Sequence, residues 1–257
     1  MSPQSIPVDG AVNLRDLGGY TTSGGRQVMR GKLLRSGTLA YLSEQGKEQF
    51  AALDVALICD LRRDVERDEE PTPFPAGAPQ RLEISIDPGS AVAMRERLGR
   101  VDLDLSERVS FMASVTAELV RDHADDYAEM FAGLLDMRDG AFLVHCSAGK
   151  DRTGIACALI LHALGVAEET VIADYLLTNQ TIDYEGFVLP RIAARFEGTV
   201  LPPKESIMAL AGVREEYLRA AYDAVKTQFD DVEHYIEAAV GLDADARETL
   251  QERFLHP

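Results

Sequence analysis

Apolar residues in this chain occur in short continuous runs and at helical spacing, and the two patterns follow one another along the sequence. Short apolar or alternating runs predict strands at 31–36, 55–59, 81–86 and 141–145. Apolar positions three or four residues apart predict helices at 43–53, 91–98, 106–137 with a break near Asp122 and His123, and 153–164. Strands that alternate with helices are typical of an α/β fold with a largely parallel central sheet flanked by helices.

The last third of the chain has helical spacing throughout. Helices are predicted at 168–179, 181–197, 205–210, 213–229, 232–240 and 244–255. Whether this helical region, about 166–257, packs on the same core or forms a subdomain is left open. We predict one domain over residues 1–257. Its proline-rich segment 71–79 is predicted to be a loop, because each proline fixes its own φ and removes a hydrogen-bond donor.

The composition is that of a globular protein of 257 residues, of which 46% are hydrophobic. No apolar run reaches the roughly 18 residues of a bilayer span, so we expect no stable membrane insertion. The N-terminus lacks the basic and then apolar pattern of a secretory signal. Three cysteines in such a chain do not form a disulfide framework. We expect a cytoplasmic location, with export by a signal-free route left open; no pattern indicates an oligomeric state.

The formal net charge of −17 bears first on solubility. It also argues against a nucleic-acid partner, because domains that bind nucleic acids usually carry a basic surface. An anionic ligand would need a local cationic site, since the overall charge repels it.

One segment combines a nucleophile, cations and glycines between a predicted strand and a predicted helix. It reads His145-Cys146-Ser147-Ala148-Gly149-Lys150-Asp151-Arg152-Thr153-Gly154. A glycine-containing loop at a helix N-terminus points several N–H groups inward, and the positive end of the helix dipole adds to them. Such a nest of N–H groups binds anions. We predict that a phosphoryl group is held by Ser147, Ala148, Gly149, Lys150, Asp151 and Arg152.

Cys146 lies at the mouth of this nest and is the predicted nucleophile. The N–H groups, the helix dipole and Arg152 favour its thiolate over its thiol, and a thiolate can form a covalent phosphocysteine. Arg152 can clamp two phosphate oxygens with its planar fork. The Thr153 hydroxyl can stabilise the departing thiolate, and His145 is expected to orient the loop by hydrogen bonding.

Other interpretations of the segment are weaker. The plain alternative is a buried structural cysteine in a glycine-containing turn. The Gly-x-x-x-x-Gly-Lys-Ser/Thr pattern of a nucleotide-binding loop is absent from the sequence. No second Cys or His lies at ligand spacing from Cys146, so we expect neither a zinc site nor another cofactor.

A leaving oxygen needs a proton, and two aspartates are candidates to supply it. Asp151 lies in the loop beside Arg152, and Asp60 follows the second predicted strand. The carboxyl ends of parallel strands converge on one edge, where ligands bind, so either aspartate can act as general acid. The neighbours Lys150 and Arg152 favour ionised Asp151, which a phosphate dianion would oppose. The alternative for Asp60 is an ion pair or a turn.

These residues resemble the Cys-x5-Arg superfamily of protein tyrosine and dual-specificity phosphatases. The loop is similar to that of a bacterial branch with lipid-phosphatase-like loops. Matching segments cover nearly the whole chain: 13–20, 60–62 with Glu66, 174–179, 212–218 and 235–242. The resemblance implies metal-independent hydrolysis in two steps through phosphocysteine. It also implies a phosphorylated protein or a phosphoinositide as partner, with phosphotyrosine and sometimes phosphoserine or phosphothreonine as the protein group.

The resemblance further implies roles for single residues. The aspartate that matches Asp151 is the favoured general acid of this branch, and Lys150 would contact the extra phosphates of an inositol ring. The branch's best-known member, which is mycobacterial, has a helical lid. The segment 91–120 is the matching candidate, with Phe111 and Met112 as apolar cover. Ordinary core packing is the alternative for that segment.

Four polar residues are candidates for a supporting role. Arg15, Arg62 and Arg63 would add positive charge to the anion site, although exposed arginines are usually solvated. Asp16 would brace the loop from the N-terminal segment.

A further hypothesis concerns the other two cysteines. Cys59 or Cys157 could form a protective disulfide with oxidised Cys146. The alternative is that both are small core residues.

Several functions share an anion loop of this kind. A protein phosphatase and a phosphoinositide phosphatase would use one mechanism, so the sequence does not choose between them. A binder of phosphorylated ligands without activity is disfavoured by the intact Cys146, Arg152 and Asp151. A sulfur transferase or arsenate reductase is disfavoured by the residues after Arg152 and by the match along the whole chain.

Overall fold

A five-stranded sheet forms the centre of the fold in the computed structural model, which describes residues 4–74, 79–89, 104–194, 201 and 203–257. The strands are β1 (Arg15–Asp16), β2 (Leu33–Ser36), β3 (Val55–Asp60), β4 (Gln80–Glu83) and β5 (Ala141–His145). Their spatial order is β1-β2-β5-β3-β4. The first pair is antiparallel and the others are parallel, so the predicted largely parallel sheet is confirmed.

Helices connect the strands and make up the region after β5. Before β5 they are α1 (Glu44–Ala51), α2 (Asp64–Glu69), α3 (Leu105–Asp122) and α4 (Ala124–Asp136). After it come α5 (Asp151–Ala163), α6 (Glu168–Leu176), α7 (Thr178–Thr181), a π-helical turn (Tyr184–Val188), α8 (Leu189–Ala193), α9 (Lys204–Ala211), α10 (Glu215–Lys226), α11 (Val232–Ala238) and α12 (Ala244–Phe254).

The central strand β5 is buried on both faces, as its continuous apolar run predicts. Successive side chains of a strand point to opposite faces of the sheet. Phe142 and Val144 accordingly belong to one apolar cluster, and Leu143 belongs to a second cluster that includes Phe50 of α1. Because β5 lies between β2 and β3, the loop that follows it emerges at the middle of the sheet's edge.

The C-terminal helices contribute to the larger of these clusters. Tyr222 and Val225 of α10, Tyr235 of α11 and Phe254 of α12 lie in the same cluster as Phe142. One core therefore receives side chains from both the sheet and the C-terminal region. Within the described ranges, no helix combines the length and the apolar character that crossing a membrane requires.

The segment 91–120 lies partly outside the described residues, and the helix predicted at 91–98 lies entirely outside them. Its described part belongs to α3, where Phe111 and Met112 are buried in a cluster with Leu210 and Tyr217. Core packing, which was the alternative to a lid, accounts for these two side chains. The predicted break after α3 is confirmed, since α3 ends at Asp122 and α4 begins at Ala124.

Some predicted elements differ from the structure. The strand predicted at 81–86 ends at Glu83, and the two-residue strand β1 was too short to be predicted. The single helix predicted over 181–197 is wrong. Ile182 is extended, with ψ 122°, and the Asp183 side chain then caps a π-helical turn by accepting a hydrogen bond from Gly186 N. The helical spacing of apolar residues does not reveal such a break.

Candidate active site

The loop after β5 runs into the N-terminus of α5, which is the frame that the sequence predicts. Gly149 has a φ of +67°, and a Cβ atom there would lie 2.5 Å from the carbonyl oxygen of Ser36. Only glycine fits this turn without displacing its neighbours. The backbone N–H groups of residues 147–150 donate to no other described residue. They are therefore available to an anion.

Cys146 is only 3% exposed and forms no disulfide. Its carbonyl oxygen lies 3.3 Å from Nδ1 of His145, which is the contact expected of a residue that orients the loop. Thr153, in the first turn of α5, is fully buried. Its hydroxyl has no hydrogen-bond partner among the described residues, so it can still donate to a nearby anion.

Arg152 is held in place by the carboxylate of Glu66. Nη1 donates to Oε2 at 2.7 Å and Nη2 donates to Oε1 at 2.9 Å. Nη1 also lies within hydrogen-bond distance of the carbonyl oxygens of Leu61 and Ile86. These contacts use the end of the guanidinium. Nε–H and the second N–H of Nη2 have no partner among the described residues, and together they form the side of the planar fork that can bind two phosphate oxygens.

The charges of this pair stabilise each other. Burial disfavours the charge of Arg152, but the negative charge of Cys146 and the hydrogen bonds that Arg152 donates to Glu66 outweigh it, so the pKa of Arg152 is raised. Burial likewise opposes the charge of Glu66, yet the hydrogen bonds and charge of Arg152 hold the pKa of Glu66 well below its usual range. Both groups are therefore ionised at neutral pH.

Glu66 also links the anion loop to α2. Its Oε1 accepts a hydrogen bond from Ser147 Oγ at 2.7 Å, and its Oε2 accepts one from Arg63 N at 3.0 Å. Arg63 Nε lies 3.2 Å from the same oxygen. Arg63 therefore helps to hold Glu66, although we predicted that it would add charge to the anion site directly. The motif carrying Glu66 was found in the sequence, but its pairing with Arg152 was missed.

Lys150 and Asp151 form an ion pair inside the loop, with Nζ 2.7 Å from Oδ2. Their side chains are 8% and 16% exposed. Lys150 thus has its counter-ion next to the nest, and a phosphate bound there would compete with Asp151 for the ammonium group.

Asp60 lies near the loop but is already paired. Its carboxylate accepts hydrogen bonds from Arg62 Nε at 2.8 Å and from Arg62 Nη2 at 2.6 Å, and His145 Nε2 is 3.5 Å away. Burial favours the neutral acid, but the charge of His145 and the bonds from Arg62 hold the pKa of Asp60 far below its usual range. Such a group is a poor proton donor, so the geometry favours Asp151 over Asp60.

Arg15, Arg62 and Asp16 have structural partners instead of a place in the anion nest. Arg15 and Arg62 are 0% and 1% exposed, and their ion pairs are with Asp174 and Asp60, respectively. Asp16 accepts hydrogen bonds from the backbone N–H groups of Gly18 and Gly31. The predicted roles of these three residues at the anion loop are therefore replaced by roles in the surrounding scaffold.

Two other residues brace the loop where we had expected Asp16. Asn13 Nδ2 and Arg35 Nη2 donate to the carbonyl oxygen of Gly149 at 2.7 and 3.0 Å. Arg35 Nη1 is paired with Asp174 at 2.8 Å. Asn13 and Asp174 lie in segments that resemble the phosphatase family. For Arg35, the sequence shows only that it lies near the end of a predicted strand.

Among the described residues, neither the potential metal ligands nor the other two cysteines form a second functional site. In the described part of the chain, no three His, Cys, Asp or Glu side chains are grouped so that they could hold a metal ion. Cys59 and Cys157 are buried free thiols, and burial raises the pKa of both. Their proposed pairing with oxidised Cys146 stays a hypothesis.

A cysteine and an arginine lie at an anion nest on the edge of a largely parallel sheet, and this arrangement defines an enzyme suited to phosphate esters. The chain belongs to the tyrosine phosphatase family, which its residues 6–256 match. The family that the motifs indicated is thereby confirmed, and with it the class of enzyme, a protein tyrosine phosphatase.

Individual relatives agree with this assignment. A Cupriavidus necator protein, named provisionally as a tyrosine-protein phosphatase, is 34% identical over an alignment of 247 residues, covering 93% of this chain and 85% of that protein. The triple specificity protein phosphatase PtpB of Mycobacterium tuberculosis is 27% identical over an alignment of 274 residues, covering 93% of this chain and 94% of that protein. The solved structure of P. aeruginosa TpbA covers 86% of this chain and 98% of its own at 18% identity, with a TM-score of 0.34 that is too low to bear on the fold.

Proposed function

We propose that this phosphatase hydrolyses phosphate monoesters by covalent catalysis, with Cys146 as nucleophile and without a metal ion. The observation that carries the proposal is the nest of N–H groups from residues 147–150 beside a free cysteine. Neither these N–H groups nor one side of the Arg152 guanidinium is used by any described residue. The N–H groups and the guanidinium supply the charge that a phosphate needs.

In the first step the Cys146 thiolate attacks phosphorus in line with the bond to the leaving oxygen. The S–P bond forms as the P–O bond breaks, and its electron pair goes to the leaving oxygen, which takes a proton from Asp151. A bound dianion competes for Lys150, which frees Asp151 from its ion pair. The products of this step are an alcohol or phenol and phosphocysteine.

In the second step a water molecule attacks the phosphorus opposite the sulfur, and Asp151 accepts a proton from that water. The P–S bond breaks, the electron pair stays on the sulfur, and inorganic phosphate is released. The buried Thr153 hydroxyl, which has no partner among the described residues, donates to the departing thiolate. The enzyme returns to its starting state.

The proposed substrate is phosphotyrosine in proteins, with activity on phosphoserine and phosphothreonine as well. A relative named as a triple specificity protein phosphatase supports this breadth. A phosphoinositide is the second candidate, supported by the Lys150 ammonium inside the loop, which offers a cation to a second phosphate. The same two steps would apply to either substrate.

Turnover of p-nitrophenyl phosphate in the presence of EDTA tests the mechanism. We expect full activity with the chelator, loss of activity in Cys146→Ser, and a phosphorylated Cys146 in acid-quenched wild-type enzyme by mass spectrometry. Activity that needs a metal ion, or that survives in Cys146→Ser, would contradict the proposal.

A side-by-side comparison of kcat/KM distinguishes the substrates. The panel is phosphotyrosine peptides, phosphoserine peptides and phosphoinositides in mixed micelles. A preference for the peptides supports the protein phosphatase, and a preference for the lipids supports the second candidate.

A further inference from the structure

The carbonyl oxygen of Gly149 points out of the anion loop and is held there by two side chains. Asn13 Nδ2 donates to it at 2.7 Å and Arg35 Nη2 donates at 3.0 Å. Both side chains are almost fully buried, at 3% and 0% exposure. Two donors on one carbonyl, from segments more than 100 residues away in the sequence, fix the direction of that peptide group.

A trans peptide group is planar, and its C=O and N–H bonds point in opposite directions. The N–H in the same peptide group as the Gly149 carbonyl belongs to Lys150. When the carbonyl is drawn outward to Asn13 and Arg35, the Lys150 N–H is turned inward to the nest. That N–H donates to no described residue, so it is free for a ligand.

The same arrangement occurs at a second peptide group of the loop. The Ser147 carbonyl oxygen accepts a hydrogen bond from Thr38 N at 2.9 Å. The N–H of Ala148 belongs to that peptide group and is therefore also turned inward. Two of the nest's donors are thus oriented from outside the loop.

The orientation of the Asn13 amide follows from its other contacts. Its Oδ1 accepts a hydrogen bond from Arg15 Nη1, and a guanidinium can only donate. The opposite end, Nδ2, must then face Gly149. Asn13 has a φ of +53°, a conformation that asparagine adopts more readily than most residues. The position is thus suited to an asparagine by both its backbone and its side chain.

Arg35 brings a positive charge to the same carbonyl, and it shares the carboxylate of Asp174 with Arg15. Asp174 Oδ2 lies 2.8 Å from Arg35 Nη1, and Asp174 Oδ1 accepts a hydrogen bond from Tyr20 at 3.0 Å. These contacts hold the Arg35 guanidinium in place against the Gly149 carbonyl.

We infer that Asn13 and Arg35 are positioning residues of this phosphatase: by holding the Gly149 carbonyl they aim the Lys150 N–H at the phosphate. The inference rests on the proposed role of the loop in phosphate binding. Under this inference, two residues outside the loop contribute to the affinity for phosphate. Residues that only stabilised the fold would not contribute to that affinity.

Asn13→Asp and Asn13→Gly test the inference. Aspartate keeps the size and the acceptor for Arg15 but loses the donor to Gly149, and glycine tolerates the positive φ while it removes the side chain. We expect each variant to raise the inhibition constant of inorganic phosphate about tenfold, which corresponds to the loss of one hydrogen bond to a charged group.

Asn179→Asp is the matched control. Asn179 makes the same kind of contact elsewhere, since its Nδ2 donates to Val213 O at 2.8 Å and its Oδ1 accepts from Val213 N at 2.9 Å. The substitution Asn179→Asp removes a side-chain amide donor to a backbone carbonyl and changes no contact of the anion loop. The inhibition constant of phosphate should be unchanged in this control. An unchanged constant in folded Asn13 variants would overturn the inference.

A measurement on the wild-type protein covers the case in which the Asn13 variants do not fold. Addition of phosphate should shift the Lys150 and Ala148 amide protons downfield in a ¹⁵N-correlated NMR spectrum. If phosphate binds and the Lys150 amide does not move, the inference is wrong. If wild-type enzyme neither binds phosphate nor hydrolyses p-nitrophenyl phosphate, the proposed function fails instead.

Discussion

Glu66 holds Arg152 through two parallel hydrogen bonds, Nη1 to Oε2 at 2.7 Å and Nη2 to Oε1 at 2.9 Å. The pair joins α2, which follows β3, to the first turn of α5, which follows β5, and these two strands are neighbours in the sheet. It fixes the plane of the guanidinium before any substrate arrives. The phosphate therefore meets a donor pair that is already in place, and little ordering is needed on binding.

Glu66→Gln should reduce kcat/KM for p-nitrophenyl phosphate about 10²-fold, because an amide cannot accept both hydrogen bonds and Arg152 would then leave its productive position. The unfolding temperature should change much less than the activity. Glu70→Gln is the control, since Glu70 is paired with Arg191 and makes no contact with the anion loop among the described residues. Similar losses of kcat/KM in both variants would show that the pairing of Glu66 with Arg152 has no specific effect on activity.

Asp151→Asn should slow the hydrolysis of aryl phosphates according to their leaving group. A poor leaving group needs the proton, so its rate should fall by about 10²-fold or more, whereas p-nitrophenolate leaves without full protonation and should be affected less. The measurement is kcat for a series of substituted phenyl phosphates. Equal slowing along the series would point away from Asp151 as the proton donor.

Lys150→Met should separate the two candidate substrates. Methionine keeps the length of the side chain but removes the ammonium group, which in the free enzyme lies 2.7 Å from Asp151. If a second phosphate contacts Lys150, kcat/KM for phosphoinositides should fall about tenfold more than for a phosphotyrosine peptide. A uniform change in both would assign Lys150 to Asp151 and to the transferred phosphate, which both substrates share.

His162 should make the folded state less stable in mild acid. Burial lowers the pKa of His162 to about 4, and its Nε2 lies 3.0 Å from the Tyr222 hydroxyl. An unfolded histidine binds its proton near pH 6.5, so between about pH 6.5 and 4 the unfolded state holds more protons and stability falls as the pH falls. The free energy of unfolding should fall by up to about 3 kcal/mol over that pH window.

His162→Gln should flatten this part of the pH dependence, as measured by urea unfolding at several pH values. His256→Gln, at an exposed position, serves as the comparison for a histidine outside the core. If the free energy of unfolding of His162→Gln falls with falling pH as steeply as that of the wild type, other groups cause the acid sensitivity.

The strand, loop and helix around Cys146 could be predicted from the sequence because they depend on local patterns. The apolar run before Cys146 predicted β5 at its observed bounds, and the glycines with the following helical spacing predicted the loop and α5. Residues within the loop, such as Arg152, are also close in the sequence. Such features depend on short-range geometry, which a sequence displays directly.

The partners of the loop were harder to predict because they depend on the packing of distant segments. Arg62 and Arg152 are both arginines near the same edge, yet they meet their carboxylates differently. Asp60 accepts from Nε and Nη2 of Arg62. Glu66 instead accepts from Nη1 and Nη2 of Arg152, so that Nε of Arg152 has no partner among the described residues. Charge and spacing in the sequence do not reveal this difference.

The residues that hold the Gly149 carbonyl have a consequence for biosynthesis. On the ribosome Cys146 is made before Asp174, the carboxylate that pairs with Arg35. A chain that stops before Asp174 contains Cys146 but lacks this counter-ion for Arg35. We expect such a truncated product to carry the cysteine without a correctly held anion loop.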